Sequence, residues 1–222
     1  MTKTNMKNYL VPAILVKNFS DLKLQIKKVQ KVFPLVQIDI CDNLFVKNRT
    51  FKERLEINKL HLPCRLELHL MVKNPEKELK KWEKVKKVFR VYIHAETLKN
   101  NFEKILNIIQ KNGWQLGLAL NPETKTQKIQ KYLDKIDAVL FMTVHPGIQG
   151  QKLIPQILKK IKSFKKPQKL LVAADGGITL DNIKQLKKSG VKEFCIGKRL
   201  VMAEDIKKTL REFNKLIKNP NS

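Results

Sequence analysis

Three short runs of the chain carry the residue types that move protons or hold divalent metals. In VQIDIC (36–41) side chains alternate, so Gln37, Asp39 and Cys41 share one face while Ile38 and Ile40 share the other. RLELHLM (65–71) groups Glu67, His69 and Met71 in the same way, with three leucines opposite. KLLVAA (169–174) runs directly into Asp175, Gly176 and Gly177. Two carboxylates and an imidazole converging on one hole suit a divalent metal, two-sided acid/base work, or both. Taken singly, Asp39 reads equally well as a loop anchor and His69 as a satisfied structural histidine. Their convergence is what points to chemistry.

A second set of signals is built from glycine. HPGIQGQ (145–151), DGGI (175–178) and IGK (196–198) are three glycine-containing loops towards the end of the chain. Glycine lets backbone N–H groups approach an anion closely, and a following helix N-terminus adds a favourable dipole. One Gly-Gly pair would be an ordinary turn. Three such loops after consecutive strands predict a phosphate cradle.

These residues need elements to position them. Strand-sized apolar runs recur at 11–15, 36–41, 65–71, 89–93, 115–120, 137–142, 169–174 and 192–196. Amphipathic segments at 19–32, 51–58, 75–86, 98–111, 124–133, 153–163, 179–188 and 203–217 alternate with them. Such a series predicts an α/β fold, a closed (β/α)8 TIM barrel with its site at the C-terminal ends of the strands. No Ser- or Gly-rich linker interrupts it, so residues 1–222 read as a single domain, with 218–222 (KNPNS) a frayed tail.

Composition narrows the function classes. The longest uncharged stretches are strand-sized, well short of the roughly 20 apolar residues of a membrane helix. The apolar run near the N-terminus stops at Lys17 without a small-residue cleavage site, so it reads as a first strand rather than a secretion signal. Cys41, Cys64 and Cys195 have no CxxC spacing, which argues against a disulfide framework or zinc ribbon and fits a reducing cytoplasm. The formal charge of +26 raises the question of an anionic partner, whether nucleic acid, acidic membrane or a phosphorylated small molecule, but is not a function by itself. The excess is mostly lysine spread over helix surfaces, without arginine clusters or interleaved aromatics, which disfavours nucleic acid and reads as the Lys-rich surface of a soluble enzyme.

In order along nearly the whole chain, VPAIL with NF at 18–19, VQIDICDNLFV (36–46), LELHLMVKNPE (66–76), VYIHAE (91–96), GLALNPET (117–124), FMTVHPGIQGQ (141–151), AADGGIT (173–179) and the IG of 196–197 resemble the ribulose-phosphate 3-epimerase family of phosphate-binding barrels. The resemblance implies an isomerase of carbohydrate metabolism, in the pentose phosphate pathway, that interconverts D-ribulose 5-phosphate and D-xylulose 5-phosphate by metal-assisted proton transfer at C3. By motif, Asp39 and Asp175 would be the acid/base pair and, with His69, the ligands of one divalent ion (Zn, Fe, Mn or Co). Met71 and Met142 would line the pocket, and the backbones of Gly147, Gly150, Gly176, Gly177 and Gly197 would hold the phosphate. The resemblance also implies a phosphorylated ketose substrate, a homo-oligomer and a cytoplasmic location.

The chain departs from the family pattern where the chemistry would be. Gln37 stands in place of a metal-binding histidine, Ala13 of a serine, Cys41 of a methionine, Gln149 of a glycine and Lys198 of a serine. A neutral amide oxygen at Gln37 would be a weaker fourth ligand than imidazole, whereas Lys198 would add positive charge at the phosphate end. An allulose 6-phosphate epimerase and a catalytically weakened sugar-phosphate-binding descendant fit the same motifs. A decarboxylase or aldol-type synthase of this barrel group would need a D-x-K-x-x-D run, and the chain has Cys41 at the lysine position.

Overall fold

Strand alternation sorts the side chains into two cores. In the computed structural model, which describes residues 9–218, eight parallel strands close on themselves. They are β1 (Tyr9–Ile14), β2 (Leu35–Cys41), β3 (Arg65–Met71), β4 (Val88–His94), β5 (Gln115–Leu120), β6 (Ala138–Met142), β7 (Leu171–Asp175) and β8 (Glu193–Ile196). Each pairs with the next, and β8 returns to β1. Ile38, Ile40, Leu66, Leu68, Val91 and Ile93 belong to the large outer core, whereas Val11, Ala13, Tyr92, Leu140 and Cys195 form the inner one. The expected TIM barrel is therefore present, with a fold of two nested apolar layers.

The helices are α1 (Phe19–Val29), α2 (Pro75–Lys80), α3 (Phe102–Lys111), α4 (Gln156–Ser163), α5 (Ile183–Lys188), α6 (Lys198–Val201) and α7 (Ile206–Lys218). α1 is capped by the Asn18 side chain, which accepts from the Asp21 N–H at 2.9 Å, and it buries Leu22, Ile26 and Val29 on one stripe. Two connections expected to be α-helical are instead 3-10 turns, at Leu55–Leu60 and Thr126–Tyr132. Each buries one apolar residue, Ile57 or Ile129, so neither has the repeated stripe that makes a longer α-helix worth its nucleation cost. Helices expected over 75–86 and 98–111 are shorter at one end, and α6 was not anticipated. Lys218, the first residue of the expected frayed tail, ends α7, and 219–222 lie outside the described residues. Among the described residues no helix is long and apolar enough to cross a membrane.

The barrel interior holds a buried ionic layer. Arg90 Nη1 donates to Glu67 Oε2 at 2.7 Å, to Glu193 Oε1 at 2.7 Å and to the Tyr92 hydroxyl at 3.0 Å, while its Nε donates to Gln115 Oε1 at 3.1 Å. Burial, then the Glu193 charge, pushes the Glu67 carboxyl well above the usual range, against the pull of Arg90. The layer thus sets one guanidinium against two buried acids, with its charge balance favouring the acid form of Glu67. Tyr92 reaches into it only because residue 117 is glycine: a methyl there would lie 2.2 Å from Tyr92 Cδ1. Arg90→Leu should strip the layer of its cation and lower stability by about 3–5 kcal/mol in urea unfolding. A loss below about 1 kcal/mol would mean that the two glutamates are solvated or neutral without it.

Candidate active site

The three side chains singled out for chemistry meet at the C-terminal mouth of the barrel. β2 and β3 are in register with Asp39 beside His69, and Asp175 is the last residue of β7. His69 Nδ1 lies 3.1 Å from Asp39 Oδ1 and 3.4 Å from Asp175 Oδ2. Gln37 joins them: its Nε2 donates to Asp39 Oδ1 and to Asp175 Oδ2, each at 2.8 Å. All four side chains are buried. The Gln37 amide therefore turns its nitrogen to the carboxylates, and its buried Oε1 has no hydrogen-bond partner.

This environment sets the protonation states. Burial raises the Asp39 carboxyl, and the charge of Asp175 adds to the rise, while hydrogen bonds from His69 and Gln37 oppose it. Burial alone would depress His69, but its hydrogen bonds to Asp175 and Asp39, with their charges, outweigh burial and hold the imidazole at about 9. Metal-free, the site is thus an imidazolium and an amide set between two carboxylates.

Asp39, His69 and Asp175 can each offer one ligand atom, all within 4.8 Å of one another. Two oxygens and one imidazole nitrogen suit a divalent ion. Glu67, Glu193 and Cys195 form another such group, but the Arg90 guanidinium already lies between its carboxylates.

Above the carboxylates opens a cavity of about 410 Å³. Met71 and Met142 line it, as do Gly147 and Gly150 of the loop after β6. Gly176 and Gly177 follow β7, and Gly197 and Lys198 follow β8; all four reach the same space. Gly177 has φ +60°, and a methyl there would lie 2.5 Å from the backbone nitrogen of Leu153, so both conformation and space demand glycine. Of the departures, Ala13 lines the cavity, but Cys41 does not, and its N–H donates to Thr50 Oγ1 at 3.1 Å. Gln149 folds towards Gly197: its Nε2 would lie 2.9 Å from a methyl on that glycine.

One polar strand end escaped the sequence reading. His94, the last residue of β4, is fully buried with its Nε2 2.9 Å from His69 Nε2. Its Nδ1 lies 3.3 Å from Glu96 Oε2. Burial depresses His94 to about 4, whereas hydrogen bonds from His94 and Thr124 outweigh burial at Glu96 and hold it at about 2. Period-two alternation from Arg90 through Tyr92 to His94 was the available signal.

Over residues 9–201 the chain matches the Ribulose-phosphate 3 epimerase family. It is 35% identical to ribulose-phosphate 3-epimerase of Buchnera aphidicola subsp. Baizongia pistaciae, over 97% of this chain and 99% of that one. It is 30% identical to the Bacillus subtilis (strain 168) enzyme of the same name, over 91% of this chain and 96% of that one. Among solved structures, 3-hexulose-6-phosphate synthase from Salmonella typhimurium superposes with a TM-score of 0.71 at 14% identity, over 96% of this chain and 98% of that one, a likeness of fold alone. The family match and full-length similarity, together with the convergence of Asp39, His69 and Asp175 beneath the glycine loops, make this chain a member of the ribulose-phosphate 3-epimerase family.

Proposed function

We propose that the chain interconverts D-ribulose 5-phosphate and D-xylulose 5-phosphate by proton transfer at C3. The observation that carries this reading is the meeting of two buried carboxylates, from β2 and β7, on one amide nitrogen beneath a glycine-lined cavity. Inverting a carbon needs one group to take its proton and another to return a proton from the opposite face. Asp39 and Asp175, reaching the cavity from β2 and β7, are the two groups placed to take and return that proton. Gln37 keeps a donor against both carboxylates and so fixes their separation. The ketose would seat its phosphate against Gly176, Gly177 and Gly197, with the Lys198 ammonium adding charge at that end. A divalent ion held by Asp39, His69 and Asp175 would supply positive charge against the oxyanion that develops as the C3 proton leaves. The three cysteines are buried and unpaired, in keeping with a reducing compartment.

Asp39→Asn and Asp175→Asn should each lower turnover of ribulose 5-phosphate by roughly 10³-fold or more while leaving the unfolding midpoint nearly unchanged. In the wild type, deuterium from solvent should enter C3. A variant with near-normal rate would remove that residue from the reaction, and substrate binding without deuterium uptake would leave a binding protein.

Gln37 presents its nitrogen, so the protein offers three ligands. Gln37→His should raise affinity for Zn²⁺ by about 10-fold or more in competition with a chelating dye. Unchanged affinity would place residue 37 outside the metal's reach, and full activity after exhaustive chelation would remove the metal from the reaction.

Opposite shifts at two buried histidines set the pH dependence of stability without metal. His69, raised from 6.5 to about 9, contributes stability that is complete below pH 6.5 and lost as pH rises through 9. His94, lowered to about 4, contributes stability that is complete above pH 6.5 and lost as pH falls through 4. In chelator the unfolding free energy should peak near pH 6.5 and fall on either side by on the order of 3 kcal/mol. His69→Asn should abolish the alkaline arm and, by removing the charge beside His94, also shrink the acid one, and a wild-type profile level from pH 6.5 to 9 would rule out a charged His69.

A further inference from the structure

We propose that His94 and Glu96 are positioning residues that fix which nitrogen of His69 is bare: they hold its Nε2 proton, so that Nδ1 faces Asp39 and Asp175 as a lone pair when a metal binds. The inference rests on the reading of His69 as a ligand. Its geometry is a chain of buried hydrogen bonds. The Glu96 carboxylate is anchored at Oε1 by the Asn121 backbone N–H at 2.9 Å and by the Thr124 hydroxyl. Its Oε2 faces His94 Nδ1 at 3.3 Å. An ionised carboxylate only accepts, so His94 must carry its proton on Nδ1. Neutral His94 then has a lone pair on Nε2, and the group opposite, His69 Nε2 at 2.9 Å, must be the donor. The chain starts from two donors on Glu96 Oε1, one of them a backbone N–H that cannot change its role, and an ionised Glu96 then fixes each link after it.

The surroundings are dry and closely packed, and the one further group beside His94 is the Asn121 side chain, whose contribution favours a proton on the ring as Glu96 does. His94 and His69 are wholly buried, their rings stacked at 5.1 Å between centroids and 25° between planes. Phe45, from the loop after β2, covers the His94 ring at 4.7 Å. Water is thus kept from a position where it could accept from one imidazole and donate to the other.

Glu96→Gln is the decisive variant because it preserves shape and inverts the logic. Its Oε1 must still accept from the Asn121 N–H, which turns its NH₂ towards His94 Nδ1. His94 would then protonate on Nε2, His69 would have to accept there, and its remaining proton would sit on Nδ1, where the metal should be. His94→Gln, by contrast, can place an amide oxygen where Nε2 stood and keep the acceptor.

The test measures Co²⁺ affinity by visible absorption for the wild type, Glu96→Gln, His94→Gln, His94→Phe and His69→Ala, with ¹⁵N NMR of the histidine rings at neutral pH. The expected results are a wild-type His94 protonated on Nδ1, affinity lowered about 10–100-fold in Glu96→Gln and His94→Phe, and affinity within about 3-fold of wild type in His94→Gln. A folded Glu96→Gln that binds Co²⁺ like the wild type, or a wild-type His94 protonated on Nε2, would overturn the relay. If His69→Ala binds as well as the wild type, it is the ligand assignment that fails, and the ring spectra still decide whether the relay exists.

Discussion

Two carboxylates buried side by side are the constraint from which the rest of this barrel follows. Ligand atoms of Asp39 and Asp175 lie within 4.8 Å of each other, where like charges repel by roughly 3 kcal/mol even at an effective dielectric constant near 20. Desolvation adds to that cost. The chain offsets it with two groups set between the acids, the Gln37 amide and the His69 imidazolium, both donating to the same oxygens. A divalent ion held by Asp39, His69 and Asp175 would do the same work with more charge. The strand register supplies the geometry: neighbouring strands place Asp39 beside His69, and closure of the barrel brings β7 round to face β2.

The ionic layer deeper in the barrel answers to the same field. Asp175 is among the charges that raise Glu67, and His69 among those that lower it, so the two layers are electrically linked along the barrel axis. With two ionised glutamates around one arginine, the inner layer would add a negative charge beneath the aspartates. The rise at Glu67 works against that charge. Cys195 lies between the layers, its thiol 3.9 Å from Glu67 Oε1, and burial with the surrounding carboxylates drives its pKa well up, so it stays an uncharged spacer.

Much of this was legible in the sequence, and the reasons are local. A strand buried on both faces must alternate, so VQIDIC and RLELHLM reveal which residues point inward once the fold is known to be a barrel. The glycines after the late strands are legible because backbone geometry at Gly177 tolerates nothing larger. His94 was not read as part of the site because Arg-x-Tyr-x-His looks like a solvated face; only closure of the barrel turns all three side chains inward. Nor could residue type show which end of the Gln37 amide meets the carboxylates, since both ends have the same reach. The 3-10 turns were missed for a related reason: one apolar anchor looks the same at the start of a long helix as in a single turn.

Charge is also sorted within the cavity in a way that restricts what can react there. Lys198 and Arg199 border it beside Gly197, whereas its acidic groups lie on β2 and β7. The cationic border favours the anionic end of a ligand at Lys198 and Arg199, away from the two carboxylates. The proposed phosphorylated ketose matches this division, with its phosphate at the cationic border and hydroxyls and a carbonyl at the other end. The likeness of fold to 3-hexulose-6-phosphate synthase carries no function across, because shared strands do not fix which groups stand at their ends.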